Sequence, residues 1–338
     1  EPMTRVAIMG SGSWGTAFGM VLADAGSDVV IWGRSPEVAA DINVRHRNEG
    51  YHPGIDLPDR VTATTDPGEA LADASIVVLA VPAQVLRANL GDWSGGVEGD
   101  AVLVSLMKGI ELGTTKRMSQ VISEAAGVDP MRVAVVSGPN LAREIAERQP
   151  AATTVASPER ESAQRLQDAC TTDYFRPYWT TDVIGTEIGG AVKNVIALAN
   201  GIAVGMGLGE NSQASLITRG LAEMARLGVA LGADPLTFQG LAGVGDLVAT
   251  CQSSLSRNRT FGVNLGRGLT VEETIAATKQ TCEGFKSCQP ILDLGRAHGV
   301  DMPITEQVVQ VVHHGQSPRM MASAFMSRDT KGESRLSE

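Results

Sequence analysis

Two lysines of this sequence occupy positions at which a side-chain amine could take part in catalysis. The first is Lys193. It lies in the apolar, glycine-rich segment Ile188 to Leu208, with Gly189 one helical turn before it and Ala197 one turn after it on the same predicted face. Such small neighbours leave room for a reactant. Burial or a nearby cation lowers the pKa of lysine from roughly 10.4 towards roughly 7 to 8. We therefore predict that Lys193 exchanges a proton with an alcohol or carbonyl; a solvated surface lysine is the alternative.

The second lysine, Lys108, follows the apolar run Val102 to Leu106, which predicts a strand. The turn Ser137 to Ala142 follows the next strand-like run in the same way. Because ligands of open α/β sheets bind beyond the carboxyl ends of the strands, we expect Lys108, Gly138 and Asn140 beside a bound ligand. An ordinary loop lysine and an ordinary connection are the alternatives.

A third cluster could hold an anion. It contains Asp246 after a glycine-rich segment, then Thr250, then the run Ser256-Arg257-Asn258. Ser256 is a favourable helix N-cap, and an arginine beside it would combine a bidentate cation with free backbone N–H groups. We therefore predict that a phosphate group of the substrate binds here. A capped helix with solvated arginines is the alternative.

A folded domain must position these side chains, and the N-terminal sequence predicts a nucleotide-binding one. A short apolar strand from Arg5 runs into Gly10, Gly12 and Gly15, which have the spacing of the dinucleotide-binding fingerprint, and a helix is predicted from Trp14. The first glycine permits the turn, the second lets the backbone approach a pyrophosphate, and the third lets helix and strand pack closely. The pattern predicts a nicotinamide or flavin nucleotide bound at a helix N-terminus.

The end of the second predicted strand bears on which nucleotide is used. An NAD-selective site usually has an acidic residue there for the ribose hydroxyl pair. The run Val29 to Gly33 contains none, and Arg34 follows it. Arg34 could hold a 2′-phosphate, so we predict NADP or the use of both NADP and NAD, with NADPH preferred. A surface-loop arginine is the alternative.

Apolar runs recur in the first half and predict strands covered on both faces. They are Val6 to Met9, Val29 to Trp32, Ile76 to Val81, Val102 to Leu106, Val133 to Val136 and Thr153 to Ala156. Helical segments such as Ser35 to Asn48 and Thr114 to Ala126 alternate with them. Phe175 to Thr180, which contains Pro177, has the character of an edge strand.

After about Asp182 strand-like runs give way to helical periodicity. We predict an α/β protein with an N-terminal Rossmann-like doubly wound parallel sheet and an all-helical C-terminal domain. The dinucleotide-binding domain is expected over residues 3–182, the helical substrate-binding and catalytic domain over 183–328, and a polar tail over 329–338. The catalytic site is expected between the two halves.

Composition limits the classes of partner. With 338 residues and 43% hydrophobic content, the chain suits a folded protein of two domains. A formal net charge of −10 argues against nucleic acid or an anionic membrane as the principal partner. The segment Ile188 to Leu208 is long enough to resemble a membrane span, but Lys193, Asn194 and Asn200 favour a buried helix without stable membrane insertion.

Cysteine and histidine spacing argues against metal and disulfide chemistry. No pair has C-x-x-C spacing, so we predict reduced thiols in a cytoplasmic protein. No H-E-x-x-H motif is present, and we predict no metal site. The cysteines are Cys170, Cys251, Cys282 and Cys288, and the histidines are His46, His52, His298, His313 and His314.

Taken together, these motifs resemble the bacterial type of NAD(P)-dependent glycerol-3-phosphate dehydrogenase from about Met3 to Pro318. The resemblance rests on six segments: Gly10 to Gly15, Ser105 to Gly109, Ser137 to Ala142, Glu187 to Asn194, Gly243 to Asp246 and Ser256 to Asn258. It implies interconversion of sn-glycerol 3-phosphate and dihydroxyacetone phosphate, a small phosphorylated three-carbon substrate, a supply of glycerol 3-phosphate for glycerophospholipid synthesis, and a homodimer.

The resemblance also implies roles for individual residues. Lys193 is the general acid or base, and Lys108 binds both cofactor and substrate, with Asp246 counted among the catalytic groups. The other expected substrate contacts are Gly138, Asn140, Thr250, Ser256, Arg257 and Asn258. The expected cofactor contacts are Gly10, Gly12, Ser13, Trp14, Gly15, Arg34, Tyr51, Lys108, Ala142, Arg257, Cys282 and Glu283. Two of these depart from many relatives, since Asn140 replaces a serine and Cys282 replaces an aliphatic residue.

Two other functions remain open from the residues. One is another NAD(P) dehydrogenase of the 6-phosphogluconate and 3-hydroxyacid type, in which an asparagine often lies one turn after the lysine. Here that position is Ala197 and the asparagine is the adjacent Asn194, which favours the glycerol phosphate interpretation. The other is a sensor that binds the nucleotide without catalysis.

Overall fold

The computed structural model describes residues 3–278 and 282–333, so residues 334–338 of the predicted tail lie outside the described residues. The chain divides into two compact units. The first contains residues 3–107 and 118–183, and the second contains residues 108–117 together with the chain after residue 183. The short segment 108–117 therefore belongs to the second unit, although the first unit surrounds it in sequence.

The first unit is built on one eight-stranded sheet with the order β3-β2-β1-β4-β5-β6-β7-β8. Its strands are β1 (Arg5–Met9), β2 (Asp28–Trp32), β3 (Val61–Thr64), β4 (Ile76–Leu79), β5 (Val102–Ser105), β6 (Val133–Ser137), β7 (Ala151–Ala156) and β8 (Phe175–Thr180). The order of the first six is that of the dinucleotide-binding fold, whose strand order reverses between β1 and β4. The predicted fold class is confirmed.

Two strands depart from the expected pattern. β7 pairs antiparallel with β6, whereas the other neighbouring strands pair in parallel. The connection between them contains only a five-residue helix, so it does not form the long crossover that a parallel return usually needs. The sequence did not indicate β3, a four-residue strand at one edge of the sheet. The edge position predicted for β8 is confirmed.

Helices cover both faces of this sheet. They are α1 (Ser13–Asp24), α2 (Pro36–Arg45), α3 (Pro67–Leu71), α4 (Leu86–Trp93), α5 (Met118–Ala126), α6 (Ala142–Ala146) and α7 (Arg160–Cys170). Ile8 packs in one apolar cluster with Phe18 of α1, while its neighbour Met9 packs in another with Leu86 of α4. Successive side chains point to opposite faces, so a strand covered on both faces is apolar throughout.

The second unit is helical in its described residues apart from turns and one isolated bridge in the segment 108–117. Its helices are α8 (Val183–Gly205), α9 (Glu210–Ala230), α10 (Asp246–Gln252), α11 (Arg257–Gly266), α12 (Val271–Ala277), α13 (Glu283–Ala297), α14 (Pro303–His314) and α15 (Pro318–Met326). The sequence had not indicated α10, α14 or α15 as individual helices.

The central helix of this unit is α8. By length and composition its 23 residues could cross a membrane, yet 89% of its most apolar 18-residue stretch is buried inside the protein. Every residue from Gly185 to Ala203 is buried, which confirms the predicted buried helix. A helix surrounded by protein is apolar on all sides, and its few polar residues must therefore find partners inside.

Helices α8 and α11 cross with their backbones in close contact. Gly201 and Gly205 of α8 face Gly262 and Gly266 of α11, and a Cβ atom added at any of them would overlap a backbone carbonyl of the other helix. Glycine is the residue that permits such an approach. The crossing places the first turn of α11 beside the polar residues of α8.

The glycine crossing leads to a stability prediction. Replacing Gly262 with alanine puts a methyl group against the Leu198 carbonyl, and we expect the free energy of unfolding to fall by about 1–3 kcal/mol, as for overpacked cores. Gly91 of α4 is a matched control, because a Cβ there meets nothing within 4 Å. Gly91→Ala should raise stability by about 0.5–1 kcal/mol. Urea denaturation measures both, and equal effects would contradict the prediction.

Candidate active site

Two lysines meet one aspartate inside the second unit. The Lys108 Nζ donates to Oδ2 of Asp246 at 2.7 Å, and the Lys193 Nζ lies 3.1 Å from Oδ1 of the same carboxylate. The Asp246 side chain is 3% exposed, and those of Lys193 and Lys108 are 10% and 15% exposed. The structure thus brings together the three residues that the sequence analysis named as catalytic.

Thr250 completes the contact. Its hydroxyl accepts a hydrogen bond from the Lys193 Nζ at 2.9 Å, and lies 2.7 Å from the backbone carbonyl of Asp246 one turn earlier. The ammonium is therefore held between a carboxylate and a hydroxyl. Both partners are on α10, so this short helix orients the amine of α8.

The approach of α10 to α8 has a local cause. Gly189 of α8 lies against the backbone carbonyl of Ala242, where a side chain would not fit. The chain then makes a wide turn over Leu241–Gly245, with Gly243 in a non-helical conformation, and α10 starts at Asp246. Gly189 is thus small because the backbone of Ala242 packs against it, and the expectation that it leaves room for a reactant is wrong.

Burial sets the protonation of this group. Burial lowers the pKa of Lys193 to about 8, the Asp246 carboxylate opposes that shift, and the Lys108 ammonium adds to it. For Asp246 burial acts to raise the pKa, but the attraction of Lys108 and Lys193 outweighs it and leaves the pKa below its ordinary value. Asp246 is then ionised near neutral pH, while Lys193 can give or take a proton in that range.

A chain of amides lies next to the lysines. The Asn194 Nδ2 donates to the Lys108 carbonyl at 3.4 Å, and its Oδ1 accepts from the Asn258 Nδ2 at 3.0 Å. The Asn258 Oδ1 in turn accepts from the Gly284 N–H at 2.8 Å and from the Cys282 Sγ at 3.3 Å. These bonds orient both amides and connect the starts of α11 and α13 to Lys108.

Asn194 is a site residue that the sequence analysis did not list. It is 4% exposed and follows Lys193 directly. A buried polar residue in an apolar helix must be hydrogen-bonded, and that signal was available in the sequence.

The first turn of α11 has the features of an anion-binding surface that the sequence predicted. The Ser256 Oγ caps it by accepting from the Arg259 N–H at 3.2 Å, as the sequence predicted, and Arg257 is exposed beside it. Asn258 is 8% exposed and points into the amide chain. Glu283 opens α13 and is half-buried, directly after the buried Cys282.

In the first unit the glycine turn fits a dinucleotide. Gly10 has a φ of +136°, and a Cβ there would overlap the Ala80 backbone; a Cβ at Gly15 would meet the Gly10 carbonyl. A Cβ at Gly12 would meet nothing within 4 Å, and α1 begins there without a side-chain cap. Open space in front of an uncapped helix N-terminus is what a pyrophosphate requires.

Several of the other predicted cofactor contacts also lie in the first unit. Ser13 and Trp14 form the first turn of α1, and the Ser13 carbonyl lies 2.7 Å from the His52 Nε2. Tyr51, which precedes His52 in the sequence, is 41% exposed. Arg34 is exposed, two residues after the end of β2.

The turn after β6 has contacts of its own. The Asn140 Nδ2 donates to the Ala152 carbonyl at 2.9 Å, and its Oδ1 accepts from the Thr153 hydroxyl at 2.7 Å. Both ends of this amide are thus already bonded to β7. Gly138 lies against Thr153 as well, and Ala142 begins α6. The substrate contact expected for Asn140 stays a prediction.

Thiol and metal chemistry find little support. All four cysteines are free and buried, and burial raises the pKa of each to about 12, so they are weak nucleophiles near neutral pH. Within residues 3–278 and 282–333, no group of three or more His, Cys, Asp or Glu side chains could hold a metal ion.

Comparison with known proteins places this chain among dehydrogenases. The family model for the NAD-dependent glycerol-3-phosphate dehydrogenase N-terminus matches residues 5–163, and the model for the C-terminus matches residues 182–323. The chain is 64% identical over 331 residues to the glycerol-3-phosphate dehydrogenase (NAD(P)+) of Streptomyces griseus subsp. griseus, covering 98% of each sequence. It is 62% identical over 332 residues to that of Thermobifida fusca, covering 98% of this chain and 99% of the relative.

A solved structure agrees with these sequence matches. The crystal structure of glycerol-3-phosphate dehydrogenase from Coxiella burnetii is similar to this chain, with a TM-score of 0.91 and 34% sequence identity. The match covers 96% of this chain and 99% of that one.

The electrostatics of the site predict how Lys193 responds to the loss of its partner. Because the Asp246 carboxylate raises the pKa of Lys193 against the effect of burial, Asp246→Asn should lower that pKa further below about 8. NMR titration of protein labelled with ¹⁵N-lysine measures it, with the signal assigned by its loss in Lys193→Ala. Asp293→Asn on α13 is the control and should leave the titration unchanged. A higher pKa in Asp246→Asn would contradict the assignment.

Proposed function

The chain belongs to the NAD-dependent glycerol-3-phosphate dehydrogenase family, and from this premise we propose that Lys193, Lys108 and Asp246 are the groups that act on its substrate. The enzyme interconverts sn-glycerol 3-phosphate and dihydroxyacetone phosphate and uses NAD or NADP. The observation that supports the assignment of residues is the buried contact of both lysines with one aspartate.

Lys193 moves the proton in this reaction. When bound, the nicotinamide exchanges a hydride with the carbon that carries the reacting oxygen. In the reducing direction the Lys193 ammonium donates a proton to the carbonyl oxygen; in the oxidising direction the neutral amine takes it from the hydroxyl. A pKa of about 8 makes both forms accessible near neutral pH.

Asp246 and Lys108 support this step in different ways. Asp246 and Thr250 fix the direction of the Lys193 amine, and the carboxylate keeps a buried lysine charged. Lys108 polarises the same substrate oxygen. Two ammonium groups around one carboxylate leave an excess of positive charge at the site. That excess favours an anionic substrate, although the whole chain carries a net charge of −10.

The substrate phosphate is assigned to the first turn of α11. Its backbone N–H groups, the positive end of the helix dipole and the exposed Arg257 supply the attraction. Ser256 and Asn258 shape this turn through the cap and the amide chain. Gly138, Asn140 and Thr250 remain proposed substrate contacts.

The cofactor is assigned to the glycine turn of the first unit. Gly10, Gly12, Ser13, Trp14 and Gly15 are proposed to hold its pyrophosphate region. The other proposed contacts are Arg34, Tyr51, Lys108, Ala142, Arg257, Cys282 and Glu283. Arg34 stands where an NAD-selective enzyme has an acidic residue, which supports a preference for NADPH.

We propose a cytoplasmic homodimer that supplies glycerol 3-phosphate for glycerophospholipid synthesis. The family resemblance supports the dimer and the biosynthetic role, and four free, buried thiols support a reducing compartment. The boundaries 3–182 and 183–328 are proposed for the two functional domains.

Removing the Lys193 amine should nearly abolish turnover. We expect Lys193→Ala to lower kcat by roughly 10²- to 10⁴-fold, the usual loss for a positioned acid or base. The dissociation constant of the cofactor, measured by fluorescence titration, should stay within about twofold because the amine serves the proton step. Turnover like that of the wild type would remove Lys193 from the mechanism.

The pH dependence of the wild type follows from the same amine. Reduction needs the ammonium, so its kcat should fall as pH rises through about 8. Oxidation needs the neutral amine, so its kcat should rise over the same range. In Lys193→Ala the residual kcat should show neither of these changes with pH.

Removing the Arg257 guanidinium should weaken binding of the phosphate group. We expect Arg257→Gln to raise KM for dihydroxyacetone phosphate by roughly 10-fold or more, the scale of a lost charge-assisted hydrogen bond. The nicotinamide absorbance assay measures this, with NADH and NADPH compared in parallel. Unphosphorylated dihydroxyacetone is the control substrate, and its kcat/KM should be insensitive to the change when the cofactor is saturating, because Arg257 is also a proposed cofactor contact. Equal effects on both substrates would contradict the phosphate assignment.

A further inference from the structure

The segment that carries Lys108 is a closed loop, residues 108–117, called the strap below. Ile110 pairs with Arg117 in an antiparallel bridge, the Glu111 N–H donates to the Lys116 carbonyl at 2.9 Å, and the Thr115 N–H donates to the Glu111 carbonyl at 3.0 Å. Ile110 is fully buried in the apolar core of the second unit. The strap is therefore a folded element whose two ends are joined, and a shift of one end moves the other.

Helix α8 contacts both ends of the strap. Near the Lys108 end, the Asn194 Nδ2 donates to the Lys108 carbonyl. At the other end, the Arg117 Nη1 donates to the Glu187 Oε1 at 2.8 Å. Glu187 and Asn194 are seven positions apart (194 − 187), which is two helical turns or roughly 10 Å along one side of α8. One rigid helix thus fixes both the start and the end of the strap.

The ion pair at the far end is buried. The side chains of Arg117 and Glu187 are 15% and 5% exposed. Such a pair has a large desolvation cost, so it adds little stability over apolar residues of similar size, but losing one partner leaves a buried charge uncompensated. Its physical effect is geometric: a guanidinium has a fixed fork of donors and accepts few placements opposite a carboxylate.

We propose that Arg117 and Glu187 are positioning residues for the reaction: their ion pair fixes the strap on α8 so that the Lys108 amine reaches Asp246 and the substrate oxygen. Arg117 and Glu187 act on the Lys108 amine through the strap, because their ion pair fixes one end of it and Lys108 lies at the other. The inference rests on the role proposed above for Lys108.

A double-mutant cycle separates positioning from general destabilisation. Glu187→Gln keeps the shape of the side chain and removes its charge. We expect it to lower kcat/KM for dihydroxyacetone phosphate by roughly 10-fold in the wild-type background, mostly through kcat. In the Lys108→Ala background it should change kcat/KM by less than about twofold, because the group that it positions is already gone. Arg117→Lys, which keeps the charge, should retain more activity than Arg117→Met.

Glu223→Gln is the matched control. Glu223 is another buried carboxylate of the second unit, and it accepts hydrogen bonds from the Ile304 and Thr305 N–H groups at the start of α14. Its replacement should lower the melting temperature while leaving kcat/KM at 25 °C within about twofold. The melting temperature of each variant shows whether it is folded under the assay conditions.

The outcomes separate two failures. If Lys108→Ala has wild-type activity, the role of Lys108 is wrong and the inference falls with it. If Lys108→Ala is impaired but Glu187→Gln is fully active, the ion pair does not position Lys108 and only this inference is overturned. Equal losses for Glu187→Gln in both backgrounds would mean a merely structural effect and would overturn it as well.

Discussion

The burial of one ammonium group governs the arrangement of the second unit. A lysine inside an apolar helix bundle loses its hydration, and an unpaired charge there would cost several kcal/mol. Asp246 and Thr250 offset that cost by contacting the Lys193 amine. Both are on α10, and the chain leading into α10 approaches α8 closely because Gly189 has no side chain. The same burial that makes the charged amine unfavourable also lowers its pKa to about 8. The contact with Asp246 therefore affects both the stability of the protein and the proton transfer proposed for Lys193.

Close packing of the α8 and α11 backbones connects the contact of Lys193 with Asp246 to the rest of the unit. The glycines shared by α8 and α11 let the first turn of α11 lie beside Asn194, and the amide chain then reaches Lys108 and the start of α13. Every amide in it has a donor and an acceptor role fixed by its neighbours. Polar groups that are satisfied in this way hold one geometry, whereas a partly satisfied network would allow several.

Much of the fold was predictable from the sequence because its signals are local. Apolar runs predicted the strands, glycine spacing predicted the nucleotide turn, and Ser256 predicted the start of α11. The antiparallel return of β7 was not predictable, since the sequence does not show that residues 138–150 turn back at one end of the sheet and form no crossover. At the site, Lys193 and Asp246 were named separately, but they are 53 positions apart in the sequence (246 − 193) and only the structure joins them. The Arg117–Glu187 pair was missed because each residue alone has the pattern of a surface charge.

The strap has a consequence for how such a protein could be divided or recombined. It lies in sequence between β5 and α5, yet it contributes Ile110 to the helical core and Lys108 to the helical cluster. A C-terminal fragment that begins near residue 183 would lack Ile110, which leaves a cavity in its apolar core. It would also lack Lys108, one of the two lysines that contact Asp246. Exchange of the first 183 residues between relatives would therefore also exchange Lys108, a member of the proposed catalytic centre, so the sequence boundary near residue 183 does not separate the two units cleanly.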